Sequence, residues 1–171
     1  MPTTLDARAS AIESLHAMAG GTREDLVRLI HPEAVNREAV DEPPAASIPG
    51  PDGFWASALW LRAAFSDLAF DVHEVVVSGD LVVIHNTMSG QHTGDMVMYA
   101  DGKVVSVMPP TGRRFASTQT HWLRLRDGQI IEHWANRDDI GTAQQLGWVP
   151  PTPLFLLRAW RAKRRHQRAG E

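Results

Sequence analysis

Residues 119–139, QTHWLRLRDGQIIEHWANRDD, decide how the second half of the chain folds. Apolar and polar residues alternate on either side of Asp127-Gly128, a dipeptide that closes tight hairpins because both residues tolerate a positive φ. The alternation is broken by Gln119, His121 and His133, where a half-buried strand would carry aliphatic side chains. Their direction depends on the turn, since one residue of slip moves every side chain to the opposite face. A two-residue loop sets Leu123 against Glu132 and Trp122 against His133. A three-residue loop, Arg126-Asp127-Gly128, pairs Leu123 with Ile131, His121 with His133 and Gln119 with Ala135. That second register is the expected one, because it gathers Leu123, Leu125 and Ile131 on one apolar face. Beyond them the inner face carries His121 and His133, then Gln119, Ala135 and Arg137. Buried polar groups need partners, so the cluster is expected to form the polar end of a ligand pocket. Imidazole is the side chain best suited to exchange protons there near neutral pH.

Upstream, a period of two runs from Leu68: LAFDVHEVVVSGD, LVVIHNTMSG and FASTQTHWLRLR are strand-like, with a further hairpin at MVMYADGKVVSVM. In LVVIHNTMS, His85 shares a face with Val83 and Thr87, and is expected to join the pocket as a substrate contact. A three-histidine metal site is disfavoured, since no ligand pair has the short helical spacing of zinc motifs. The first third is helical. Leu5, Ala9, Ile12 and Leu15 form a stripe ending at Gly20-Gly21. Thr22 and Asp25 read as a capping box for a second helix that His31-Pro32 ends. After the loop DEPPAASIPGPDG, Phe54, Ala58, Leu61 and Phe65 mark a third helix. DDIGTAQQLG reads as a short helix with Asp139 as N-cap and Gly147 as C-cap. Helices first and antiparallel strands after predict an α+β domain.

The 171 residues suffice for one domain with a sizeable core, and 43% hydrophobic with 22% charged content is ordinary for a globular protein. No cysteine is present, which removes disulfides, thiolate catalysis and cysteine-held zinc. The opening residues lack a basic region followed by an apolar core, and no apolar run is long enough to span a bilayer, so a cytoplasmic location is expected. The domain is expected to occupy 1–153 and a basic helix or tail 154–171, with six basic residues against one acid. The favoured role for that tail is a solvated helix whose first turns dock on the domain or a second subunit. An anionic membrane surface is the less favoured partner, and nucleic acid is not expected.

Four motifs carry a resemblance: GQHTG at 90–94, PPTGRRF at 109–115, THWLRLRDGQIIEHW at 120–134 and RDDIGTAQQLGWVP at 137–150. With the passage LRAAFSDLAFDVHEVVVSGDLVV before them, they resemble the SnoaL-like polyketide cyclases, also called ester cyclases. The resemblance implies a cone-shaped α+β barrel of the nuclear-transport-factor-two-like type: a curved mixed or antiparallel sheet wrapped round N-terminal helices, with one internal cavity. It also implies a dimer or larger homo-oligomer, and ring closure of a polyketide ester by intramolecular aldol condensation without cofactor or metal. Carried over by position, the family's glutamine falls on Gln119 and its histidines on His121 and His133, but its acid/base aspartate falls on Ala135. The sequence departs from the pattern where the chemistry needs a carboxylate.

A methyl group cannot remove a proton. Either His121 or His133 acts as base, or an inherited pocket runs other chemistry, or the protein binds a small hydrophobic metabolite without turning it over. In the enzymatic reading, an apolar substrate bearing a carbonyl lies among Leu123, Ile131, His85 and Ala135, with Gln119 donating to the oxyanion and Arg137 to an ester oxygen. The hairpin at 95–108 is placed to cover the mouth, and Trp122 and Trp134, on the outer face, to meet another subunit.

Overall fold

The computed structural model describes the backbone of residues 4–169 and the side chains of residues 7–168. Its elements are α1 (Thr4–Gly20), α2 (Arg23–Leu29), β1 (Ile30–Asn36), α3 (Pro51–Ala64), β2 (Phe65–Ser78), β3 (Leu81–His92), β4 (Met96–Ala100), β5 (Lys103–Met108), β6 (Arg114–Arg126), β7 (Gln129–Arg137), α4 (Asp139–Leu146) and α5 (Pro153–Ala169), with a 3-10 turn at Pro44–Ser47. Five strands form one mixed sheet in the order β1-β7-β6-β3-β2, antiparallel except for the parallel pair β1 and β7. The sheet is open, and α1, α2 and α3 cover its inner face, which gives the expected α+β architecture. β4 and β5 form a separate hairpin between β3 and β6.

Residues 30–36 become a strand although Pro32 interrupts them. Proline lacks an N–H, and β1 runs at the sheet edge, where that loss leaves no ladder bond unmade. The stripe of α1 is turned from its expected setting. Ala7, Ala11, Ser14, Leu15 and Ala17 are buried and Ala9 is exposed, while the Leu5 side chain lies outside the described residues. Small residues let α1 approach β2 closely, and the Arg62 guanidinium of α3 satisfies carbonyls at its C-terminal end, Met18 at 3.0 Å and Gly21 at 2.9 Å. The capping box at Thr22 and Asp25 forms as expected. Gly53 lets α3 pass the preceding loop, since a Cβ there would stand 2.0 Å from the Ile48 carbonyl oxygen.

The β6–β7 hairpin corrects the expected register. Asp127 and Gly128, at φ 51° and 82°, form a two-residue loop with Arg126 opposite Gln129 and Leu125 opposite Ile130. This turn matches the right-handed twist of the strands. The clash of apolar and charged partners that such a turn threatens is avoided by a bulge. Arg124 pairs with Glu132, leaving Ile131 unpaired, and beyond it Leu123 faces His133, His121 faces Ala135 and Gln119 faces Arg137. The bulge restores the inward direction of His133, Ala135 and Arg137. Ile130, fully buried, takes the core place expected for Ile131, which is half-buried and off the cavity wall.

Two further expectations change. Asp138, not Asp139, caps α4, accepting from Gly141 N at 2.8 Å, because its non-helical backbone lets the carboxylate reach back to the first turn, where Asp139 is already helical. Gly147 ends α4 in the left-handed conformation. Within the chain the helix α5 docks by its middle and not by its first turns: buried Ala162 meets Val97 and Val107, and Asp95 pairs with Arg165 and His166. Leu154, Leu156, Leu157 and Trp160 are exposed. No helix among the described residues is long and apolar enough to cross a membrane.

Candidate active site

Between the sheet and the helices lie two contiguous cavities, of about 90 Å³ and about 320 Å³, sharing Trp60, Leu61, Met88, Gln119 and Arg137 in their walls. The inner one is lined by Gln119, His121, Leu123, His133, Ala135 and Arg137, so β6 and β7 bring together six of the eight expected site residues. His85 and Ile131 are not among them. His85 lies on the outer face, exposed beside Thr120 and His73, because inward positions on β3 are Val82, Ile84, Asn86 and Met88. It therefore cannot join a three-histidine cluster. His92 shares the inward parity and is fully buried against Phe65 and Trp148, a structural position. The outer cavity is walled by Met96, Met98 and Met108 of the β4–β5 hairpin, held by a hydrogen bond from Trp60 Nε1 to the Val97 carbonyl at 2.7 Å.

The two imidazoles are stacked, with centroids 5.2 Å apart, and His121 Nδ1 lies 2.9 Å from His133 Nε2. Their proton positions follow from Asn36, which β1 places beside His133. Its Oδ1 accepts from Glu38 N–H at 3.1 Å, and its Nδ2 donates to Ser57 Oγ at 3.4 Å, which orients the amide. Oδ1 therefore accepts from Nδ1–H of His133 at 2.9 Å. His133 Nε2 is left as an acceptor for Nδ1–H of His121. The free lone pair of the neutral pair is then His121 Nε2, 2.9 Å from the Gln119 side chain. Gln119 Oε1 at that position suits a protonated Nε2, and turning the amide over offers its NH₂ to the unprotonated one.

Burial pushes the pKa of His121 down to about 4 and that of His133 well below the ordinary histidine value. The Arg137 guanidinium adds to both shifts, and His121 adds to that of His133. Both rings are thus neutral at pH 7, and His121 can accept a proton.

The structure also supplies two carboxyl groups that the sequence pattern concealed. Glu38 and Glu42, from the loop after β1, line the inner cavity. Glu38 accepts from Ala135 N at 2.9 Å and pairs with Arg137 at 3.4 Å. A carboxylate therefore stands beside the very position whose side chain is missing. Glu42, 8% exposed, accepts from the Ser57 hydroxyl, and burial pushes its pKa up to about 7. The one available signal was an acidic cluster, Glu38, Asp41 and Glu42, in a loop just after a segment whose strand character was itself hidden by Pro32.

The arrangement offers a base, an amide donor and acidic groups in an apolar cavity, which is the equipment for enolate chemistry. The comparisons with known proteins agree. The family model for SnoaL-like polyketide cyclase matches residues 13–146. The aklanonic acid methyl ester cyclase DnrD of Streptomyces peucetius is 34% identical over 154 residues, covering 90% of this chain and 97% of the relative. The nogalonic acid methyl ester cyclase of Streptomyces nogalater is 33% identical over 129 residues, covering 74% and 87%. Among solved structures, wild-type IdmH from Streptomyces antibioticus superposes with a TM-score of 0.62 at 30% identity, covering 82% of this chain and 98% of that one. The chain belongs to the SnoaL-like polyketide cyclase family.

Proposed function

We propose that the protein closes a carbocyclic ring in a polyketide methyl ester by intramolecular aldol addition. The relatives similar along nearly their whole length are cyclases of the methyl esters of aklanonic and nogalonic acids, which makes an aromatic polyketide ester the first substrate class to examine. The observation that carries the reading is the buried His121–His133 pair, hydrogen-bonded at 2.9 Å, with His121 Nε2 against Gln119 in the wall of an apolar cavity. In the proposed reaction His121 Nε2 takes the proton from the carbon between ester and ketone, and His133 orients that ring through the Asn36 bond. Gln119 rotates to accept from the newly formed Nε2–H, which frees its NH₂ to donate to the developing oxyanion. Arg137, shared by both cavities, holds the ester carbonyl, and Leu123 and the Ala135 methyl pack against the substrate's rings. The outer cavity walled by methionines of the hairpin accommodates the part of the substrate that the small inner cavity cannot hold.

Incubating the purified protein with aklanonic acid methyl ester and following the products by mass-matched chromatography should show an isomer with a new ring. Recovery of the ester unchanged after long incubation would sink this proposal and favour a non-catalytic metabolite-binding role.

We also propose a homodimer in which the outer sheet face meets a second copy. There Trp122 and Trp134 stack at 6.0 Å with ring planes 7° apart, both half-buried. Trp134→Glu should shift the mass measured by light scattering from dimer to monomer, and an unchanged mass would remove this face from consideration.

A further inference from the structure

Among the described residues Glu42 is the one buried acidic side chain, and it lines the cavity of the histidine pair. It hangs from the loop after β1 and is held by Ser57 of α3, whose hydroxyl donates to Glu42 Oε2 and accepts from Asn36 Nδ2. Asn36 in turn accepts from His133, so one directed set of hydrogen bonds runs from the carboxyl to the imidazoles. Glu42 Oε1 has no hydrogen-bond partner among the described residues. The neighbouring Glu38 is already committed to Ala135 N and Arg137.

We infer that Glu42 is the acid partner of the histidine pair, giving its carboxyl proton to the carbonyl oxygen as the ring closes. The inference rests on the ring-closing reading above. His121 Nε2 removes the proton from the carbon next to the ester, and the electron pair of that C–H bond becomes the enolate. The enolate carbon bonds to the ketone carbon, and the π pair of the ketone moves onto its oxygen. That oxygen takes the Glu42 proton and becomes a hydroxyl, so the product is an isomer of the substrate. Solvent exchange then moves the proton from the imidazolium to the carboxylate and restores both groups. In this site the loop carboxyl performs a task that a side chain at Ala135 cannot.

A carboxyl that stays protonated to about pH 7 suits this role. The groups facing it account for the balance. Burial raises its pKa, with Asp41 and Glu38 of its own loop adding to the effect, while Ser57 of α3 and Arg137 of β7 lower it.

The test is the pH profile of kcat for wild type, Glu42→Gln and Ser57→Ala, with circular dichroism to confirm folding. Wild type should lose activity as pH rises through about 7, because the acid form is the active one. Glu42→Gln keeps the shape and the bond from Ser57, and should lower kcat about 100-fold or more and abolish that alkaline limb. Ser57→Ala removes a bond to the carboxylate and should move the limb to higher pH. Infrared difference spectra should show a protonated carboxyl band titrating in the same range in wild type and absent from Glu42→Gln. A Glu42→Gln enzyme with wild-type kcat, or with reduced kcat and an unmoved alkaline limb, overturns the assignment alone. A wild-type protein without cyclase turnover defeats the functional reading itself and this assignment with it.

Discussion

Replacing His121 by asparagine should lower kcat for ring closure by about 10²–10⁴-fold, the range general-base removal spans, with KM changed only a few-fold. The size of the effect follows from the hydrogen-bond directions. Asn36 commits Nδ1–H of His133, and His133 Nε2 accepts from His121, so the cluster leaves a single basic nitrogen, His121 Nε2 beside Gln119. Asparagine fills much of the same space and can still bond to Gln119, yet it has no nitrogen lone pair to receive a proton. His133→Asn removes the group that sets the tautomer and leaves the base in place, so its loss of rate should be smaller. Wild-type rates in both variants would show that neither imidazole moves the proton.

The second large effect is on stability. The Glu42→Gln protein should be about 3 kcal/mol more stable than wild type at pH 8, and equal to it below about pH 4.5, measured as urea midpoints at the two pH values. The folded chain holds the Glu42 proton up to about pH 7, whereas an unfolded chain releases it near the ordinary value of 4.5. Its contribution is therefore fully present below pH 4.5 and is lost as pH rises through 7. Glutamine never ionises and escapes that loss. His121 acts in the opposite sense. Its folded value near 4 lies below the ordinary 6.5, so its contribution is present above pH 6.5 and is lost as pH falls through 4. The two shifts are of similar size and nearly cancel during acidification. His133, also held neutral by burial, tips the balance, and the folded state should weaken in acid. Identical midpoints for Glu42→Gln and wild type at pH 8 would show that the carboxyl is not held protonated.

The fold was readable wherever periodicity and turn chemistry agreed. The strands from Leu68 onward, the capping box at Thr22 and the terminal Gly147 all carry their cause in local sequence. Parity was readable too, which is why Gln119, His121, His133 and Arg137 were recognised as sharing a face. The pairing was not, because a bulge leaves no local signature: Ile130 and Ile131 are chemically the same, and only the twist favoured by Asp127-Gly128 selects which one is left unpaired. His85 was misplaced for a related reason. Both faces of β3 alternate apolar with small polar residues, and Asn86, not His85, points inward. The carboxyl groups lay beyond sequence reasoning because they reach the site across the parallel pairing of β1 with β7. Such pairing joins residues about a hundred positions apart, and its edge strand contains a proline.

The unpaired Ile131 lets the hairpin lose one residue near the turn without changing which side chains face the cavity. Deleting this one residue would leave a regular ladder with the same partners, Arg124 with Glu132, Leu123 with His133 and His121 with Ala135, so His133, Ala135 and Arg137 would keep their inward direction. Beyond the bulge there is no such slack: losing Trp134 would leave His133 opposite Leu123 but turn Ala135 and Arg137 outward and Asn136 inward. Libraries that aim to change the substrate should hold the arms of this hairpin at fixed length beyond the bulge and place their diversity in the loop after β1 and in the methionine hairpin.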